Sequence, residues 1–303
     1  MANPVDLSIC IINHETPELT RNCLRSIVVT RDNLSLEVLV VNNTPDDDGN
    51  FARLMTEFPG AIVIQNTAAK FFAANQNQML KAAAGRYLLP LNSDTVVQTG
   101  ALRTLVHFMD SNPSCGIAGP RLINADGSLQ RSCHSFPGFL STLVEMSGAW
   151  RILANNQIAG RLSQICLRHD EIAEVDWLTG ACLIARREAV TQFGFFDDVL
   201  FESMYGEDAD WQYRARQHGW QVLFEPRAVV SHLENQSPMV ARTDRIYCGY
   251  LKFCAKHYPA LKYAAVRMAL GLALIPKMLF GRTAGARANY RKAFLLRRRD
   301  CPN

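Results

Sequence analysis

A chain of 303 residues has room for one large domain or two smaller ones, and 48% hydrophobic with 20% charged residues excludes a disordered chain. Nine scattered cysteines, none in a CxxC pair, argue against a disulfide framework or zinc site and for a reducing, cytosolic setting. The net charge of +4 hides an asymmetry: from Arg242 onward there are 14 Lys and Arg against 2 Asp and Glu, and before it 18 against 26. An acidic body therefore precedes a basic tail of the kind that binds anionic surfaces. No secretory signal is read at the N-terminus, where Met1 to Asp6 leads straight into a strand.

Leu7–Ile12 is a short apolar run bounded by polar residues, the mark of a buried strand. Thr16-Pro17 reads as the N-cap and first residue of a helix whose apolar stripe is Leu19, Cys23, Leu24, Ile27 and Val28. A second strand, Leu36–Val41, ends in Asn42-Asn43-Thr44. A short helix over Phe51–Phe58, a strand over Ala61–Ile64 and a helix over Asn75–Ala84, stopped by Gly85, lead to a fourth strand, Tyr87–Leu91. Pro90 lacks a ladder donor and weakens that last strand. The alternation predicts a parallel sheet with helices on both faces.

A helix is predicted over Gly100–Asn112, an irregular polar stretch over Arg121–Asp170 with one amphipathic piece near Leu140–Ala154, and a strand over Ala181–Ala185. Asp208–His218 reads as a helix stopped by Gly219, followed by extended Gln221–Phe224 and Ala228–Val230. Beyond Thr243 the pattern is helical.

Three constellations carry the chemistry. Asn92-Ser93-Asp94 closes the fourth strand, where an open α/β sheet keeps its ligand crevice and where a carboxylate can hold a hard divalent cation. The same triplet is ordinary turn chemistry. Tyr205-Gly-Glu-Asp-Ala-Asp210 opens a helix, where acidic side chains also serve simply to cap amides and complement the dipole. Ser231-His232 follows the last extended segment. Together they fit a metal site with a general base.

In this order the motifs resemble those of family 2 glycosyltransferases of the GT-A fold, over residues 6 to 237. The matching pieces are Ile9-Cys-Ile-Ile-Asn13, Val40-Val-Asn-Asn-Thr44, Phe72-Ala-Ala with Asn77, Leu91-Asn-Ser-Asp-Thr95, Asp176-Trp-Leu-Thr-Gly-Ala181, Gly194-Phe-Phe-Asp197, Gly206-Glu-Asp-Ala-Asp-Trp211 and Val230-Ser-His232. Within the family the chain looks most like rhamnosyltransferase-like members that build bacterial cell-surface polysaccharides. The resemblance implies a mixed sheet flanked by helices over 1–240, with a basic, amphipathic helical tail over 241–303. It implies inverting transfer from a nucleoside-diphosphate sugar, of dTDP or UDP type, to a glycan or lipid-linked hydroxyl. By matching position, Asp94 and His232 would bind a divalent Mn2+ or Mg2+, Asp208 would be the general base, and Glu207 would orient a sugar beside it. Asn13, Asn42, Asn77 and Asn92 would line the donor pocket; Trp177, Gly180 and Ala181 would border sugar and acceptor.

The sequence departs from the pattern at Asn42, where the family usually has Asp, at the large residues Phe71 and Met79 in place of glycines, and at Ser93 in place of proline. These departures motivate a second reading, a protein that binds nucleotide sugar or scaffolds a membrane assembly without turnover. A nucleotidyltransferase or dehydrogenase is disfavoured, because Asn13–Pro17 carries neither glycine nor lysine and no GxGxxG follows Ile12. In the tail, only nine uncharged residues separate Arg267 from Lys277, far short of the roughly 20 that span a bilayer. A cytoplasmic protein attached peripherally to the inner, anionic membrane face fits better, with a solvated helical hairpin packed on the body as the alternative. The tail lacks the aromatic stacking set of a nucleic-acid binder.

Overall fold

The computed structural model describes residues 5–45, 49–202, 205–233, 242–280 and 284–295. The first part runs β1 (Leu7–Asn13), α1 (Pro17–Thr30), β2 (Leu36–Asn42), α2 (Asn50–Met55), β3 (Ile62–Gln65), α3 (Phe72–Ala82) and β4 (Tyr87–Leu91). β1 pairs in parallel with both β2 and β4, and β2 with β3. The run of β1 is apolar at every position from Leu7 to Ile12 except the buried Ser8, because both its faces are covered. Leu7, Ile9 and Ile11 face Cys23, Leu24 and Ile27 of α1, while Cys10 joins Met79 and Leu80 of α3 on the other side. Each such fully buried aliphatic side chain contributes about 1.5–3 kcal/mol. Val28 is exposed rather than part of the α1 stripe, whose last buried position is Thr30.

The chain continues through β5 (Thr95–Val97), α4 (Ala101–Ser111), β6 (Cys115–Ile123), β7 (Leu129–Gln130) and β8 (Cys133–His134). Next come α5 (Phe139–Ser147), α6 (Trp150–Leu153), α7 (Gln157–Leu162), β9 (Ala173–Glu174), β10 (Trp177–Leu178), β11 (Ile184–Arg186), α8 (Arg187–Phe193) and α9 (Glu207–Gln217). β12 (Gln221–His232) precedes the tail helices α10 (Arg242–His257), α11 (Ala260–Phe280) and α12 (Ala284–Leu295). The main sheet has the order β3-β2-β1-β4-β11-β6-β12-β5. It is mixed rather than purely parallel: β11 runs antiparallel to β4 and β6, and β5 antiparallel to β12.

Several sequence expectations change here. β6 is a buried strand that the sequence conceals behind Gly116, Gly119 and Pro120, residues that read as turns. The strand expected at Ala181–Ala185 is shifted to Ile184–Arg186. The two extended segments after Gly219 are one strand, broken by a bulge between Glu225 and Val229 around Pro226. Arg121–Asp170 is not irregular; it holds short helices and strands whose form comes from packing, not from periodicity. Pro90 stays inside a central strand with its carbonyl accepting from Leu183 N at 3.2 Å, in a register that runs from Leu88–Ala185 to Leu91–Cys182, and only the bond that a proline cannot donate is missing. In the tail, α11 is 21 residues long, with a mean hydropathy of 1.4 over its most apolar 18 residues, long and apolar enough to cross a membrane by length and composition. Counting uncharged residues alone had understated it, because Arg267 and Lys277 sit within a helix that is otherwise apolar between them.

Candidate active site

The carboxyl ends of β1, β2 and β4 bring Asn13, Asn42 and Asn92 to one edge of the sheet, the edge where open α/β sheets bind ligands. Asn13 and Asn42 are opposite each other in register, and the Asn13 amide donates to Asn42 Oδ1 at 2.9 Å. The Asn42 amide donates in turn to Gln65 Oε1 at 3.0 Å. A parallel ladder beside it joins Asn43, Asn66 and Asn75 to the Lys70 peptide. Asn77 lies elsewhere: its amide nitrogen donates to Phe196 O at 2.9 Å and its oxygen accepts from Phe196 N at 3.0 Å. That bidentate pairing fixes the 195–197 segment onto α3.

The turn after β4 is tightly fixed. Asn92 N donates to Ala181 O at 2.9 Å, Thr95 Oγ1 donates to Asn92 O at 2.7 Å, and Leu233 N donates to Asp94 O at 2.8 Å. Pairing of β5 with β12 places His232 opposite Thr95, which brings Asp94 Oδ1 to 3.4 Å from His232 Nε2. His232 Nδ1 is 2.7 Å from Gln130 Oε1, so the ring donates there and presents the lone pair of Nε2. The Asn92 amide lies 3.4 Å from that same nitrogen.

A carboxylate oxygen and an imidazole nitrogen, both groups that ligate divalent cations, thus face each other in a buried spot. Adjacent ligands of one octahedral Mg2+ or Mn2+ stand about 3 Å apart, so the observed separation fits. Among the described residues no group of three or more His, Cys, Asp and Glu could hold a metal. Beyond these two side chains, a hard divalent cation characteristically takes substrate phosphate oxygens and water as ligands.

The acidic end lies on the far side of the segment 177–181. Gly206, at φ 93°, opens α9, and a Cβ there would meet Gly249 O of α10 at 2.8 Å. This close crossing requires glycine and sets where α9 begins. Asp208 Oδ2 accepts from Gly180 N at 3.1 Å and Oδ1 from Ala209 N at 2.8 Å. Gln212, buried one turn on, accepts from Leu178 N and donates to Leu178 O, both at 2.8 Å. The neighbouring residues Gly180 and Ala181 therefore touch Asp208 and Asn92 respectively, and so tie the two ends of the site together.

The three acidic side chains of this helix start differ. Glu207 is buried, its Oε2 has no hydrogen-bond partner, and burial with Asp208 nearby pushes its pKa up to about 8. Burial also raises Asp208, against the amides of Ala209 and Gly180 and the nearby His134. Asp210 points away from the segment. It meets Arg214 at 2.9 Å, Lys256 at 2.6 Å and His257 at 2.7 Å. Its burial raises the pKa, but those partners outweigh burial and hold the carboxyl low.

Trp177 stacks on His134, with ring centroids 4.2 Å apart and planes 17° apart, and its indole donates to Ser135 O. His134 Nε2 is 3.2 Å from Thr179 Oγ1, and Glu145 Oε2 is 3.5 Å from Nδ1. Neither His134 nor Gln130 was singled out by sequence. What brings them in is strand register, His134 opposite Trp177 in β8–β10 and Gln130 opposite Leu122 in β6–β7, with Leu122 in turn opposite Val230 of β12.

The structure is similar to two solved enzymes at low sequence identity. One is GalNAc-T7, described with UDP, GalNAc and Mn2+ (TM-score 0.64, 14% identity, covering 97% of this chain and 55% of that one). The other is the mannosyltransferase PcManGT of Pyrobaculum calidifontis, in complex with GDP-Man and Mn2+ (0.59, 16%, 97% and 84%). The central mixed sheet flanked by helices is that of the GT-A glycosyltransferases. By sequence the chain is 30% identical over 150 residues to an N-acetylglucosaminyl-diphospho-decaprenol L-rhamnosyltransferase of Mycobacterium tuberculosis, covering 48% of this chain and 46% of that protein. It is 27% identical over 237 residues to the O-antigen biosynthesis protein RfbC of Myxococcus xanthus, covering 76% and 17%. The chain thus spans less than half the length of these curated relatives. A family model described as "Glycosyltransferase like family 2" matches residues 4–246. The chain belongs to this glycosyltransferase family.

Proposed function

We propose that the protein is an inverting glycosyltransferase. It moves a sugar from a nucleoside-diphosphate donor, of dTDP or UDP type, to a hydroxyl of a glycan or lipid-linked acceptor at the cytoplasmic membrane face. The observation that carries this reading is the link from Asn92 through Ala181 and Gly180 to Asp208, which holds a cation-ready pair and a raised-pKa carboxylate on either side of one segment. Relatives named for rhamnosyl transfer and O-antigen synthesis support the acceptor class.

Asp94 and His232 would hold a divalent cation, Mn2+ or Mg2+. When bound, it supplies Lewis-acid neutralisation of the departing diphosphate. Asn13, Asn42 and Asn92 line the donor edge, and Asn77 holds the 195–197 segment in place. Asp208 takes the proton of the acceptor hydroxyl as that oxygen attacks the anomeric carbon in line, through an oxocarbenium-like transition state. Its raised pKa suits this task, since a base is most effective when its pKa lies nearer working pH. Glu207, carrying its proton near neutral pH, can donate a hydrogen bond to acceptor or donor sugar. Trp177 on His134 offers an aromatic platform beside Gly180 and Ala181.

Asp208→Asn tests the assignment: transfer should fall by about 100- to 10,000-fold with the fold intact. Turnover like the wild type would remove Asp208 from the base role. A second reading, binding without turnover, is motivated by Asn42, which stands where the family usually has Asp, and by Phe71 and Met79 in place of glycines. Calorimetry with a panel of nucleotide sugars and Mn2+, followed by transfer assays, separates the two.

A further inference from the structure

We propose that the outward stripe of α11 docks on an anionic lipid bilayer and lies flat in its interface. Leu261, Met268, Leu272, Ile275, Leu279 and Phe280 are all exposed, Phe280 to 82%. The first five recur at intervals of three, four or seven residues, which sets them along one line of the helix. The opposite line, Val266, Ala269, Leu270, Ala273 and Leu274, is buried. There Leu270 and Leu274 pack with Tyr247, Leu251 and Ala293 of α10 and α12. The helix is therefore held by one face while its apolar outer face has no cover among the described residues. An exposed apolar line of this length marks an interaction surface.

Charge complementarity identifies the occupant. No Asp or Glu occurs between Asp244 and Asp300, so α11 and α12 carry cations only. Lys262, Arg291 and Lys292 are exposed. Apolar side chains bordered by cations, without anions, match acyl chains beneath anionic headgroups. Crossing the bilayer would strip Leu270 and Leu274 from α10 and α12 and pull the Arg267 guanidinium from Phe294 O, 2.8 Å away. Lying flat keeps both. The family match ends at residue 246, so this surface lies outside the part of the chain that defines the family. It deepens the membrane part of the proposed function. Its test reads binding without turnover, so its failure and that of the glycosyltransferase reading are separate events.

The full chain is floated with vesicles of mixed phosphatidylglycerol and phosphatidylcholine, and with vesicles of phosphatidylcholine alone. The expected result is capture by the anionic vesicles only, weakened by salt and released by alkaline carbonate. The Leu272→Glu/Leu279→Glu variant should partition roughly tenfold less or weaker still. Both side chains are exposed, so its melting temperature should match the wild type; a charge variant, Arg291→Glu/Lys292→Glu, tests the surface independently should the first variant unfold. Flotation unchanged in both variants overturns the proposal. So does carbonate-resistant insertion, which indicates a spanning helix. A wild-type dimer that the apolar variant converts to monomer, with neither binding vesicles, assigns the stripe to a second copy instead.

Discussion

Asp94 Oδ1 stands 3.4 Å from His232 Nε2 because the antiparallel pairing of β5 and β12 sets Thr95 opposite His232. The imidazole is aimed by Gln130, whose Oε1 is 2.7 Å from Nδ1. Gln130→Leu should leave the fold intact and weaken Mn2+ binding by about 10- to 100-fold, the range lost when the partner of a metal-bound histidine is removed. Asp94→Asn should weaken it further. Mn2+ titration followed by electron paramagnetic resonance checks both, and undiminished affinity in Asp94→Asn would exclude this carboxylate as a ligand.

Gly180 is the contact between the segment 177–181 and Asp208. A Cβ on it would lie 3.2 Å from Asp208 Cβ and 3.3 Å from Oδ2, so Gly180→Ala must push the carboxylate by a few tenths of an ångström. A displaced base costs rate, not fold: kcat should drop by about tenfold or more while the melting temperature moves little. Steady-state kinetics beside thermal unfolding reads the split. A large fall in melting temperature with unchanged kcat would mean that Gly180 serves packing alone.

Glu207 makes stability fall with pH. Its folded pKa is about 8, raised above the ordinary value of 4.5. Between those two values the unfolded chain has released the proton and the folded chain has kept it. Stability is thus fully present below about 4.5 and is lost progressively as pH rises toward 8, by on the order of a few kcal/mol. Glu207→Gln should flatten that decline and be the more stable protein at pH near 8. Urea unfolding across the range measures it; parallel pH profiles for the two proteins would contradict the raised pKa.

Asp210 looks in sequence like a third member of the acidic cluster, but it is spent on Arg214, Lys256 and His257. Asp210→Ala would leave part-buried Arg214 without its carboxylate and Lys256 with Asp197 as its remaining carboxylate, where α10 meets α9. The expected loss is about 2–3 kcal/mol of stability, below that of a fully buried ion pair. Chemical denaturation gives the value, and activity below the unfolding transition should survive better than in Asp208→Asn.

The alternating first half of the fold is legible in the sequence, since β1, β2 and β4 are apolar runs between turn residues, interrupted inside only by Ser8 and Glu37, and a strand largely buried on both faces has few other ways to read. It also singled out Asp94, Asp208 and His232 as candidates, because motif order survives without knowledge of distance. It concealed β6, whose glycines and proline look like a turn, and the short elements between Ile123 and His169, which exist only because something packs on them. Tertiary structure alone decided that Asp94 and His232 meet, since strand register across β5 and β12 is a long-range property. It alone separated Asp208, held by Gly180, from Asp210, held by α10, because neighbours on one helix turn point to different surroundings. And it alone divided α11 into a packed line and an open apolar line, since hydropathy along a helix does not say which face its neighbours cover.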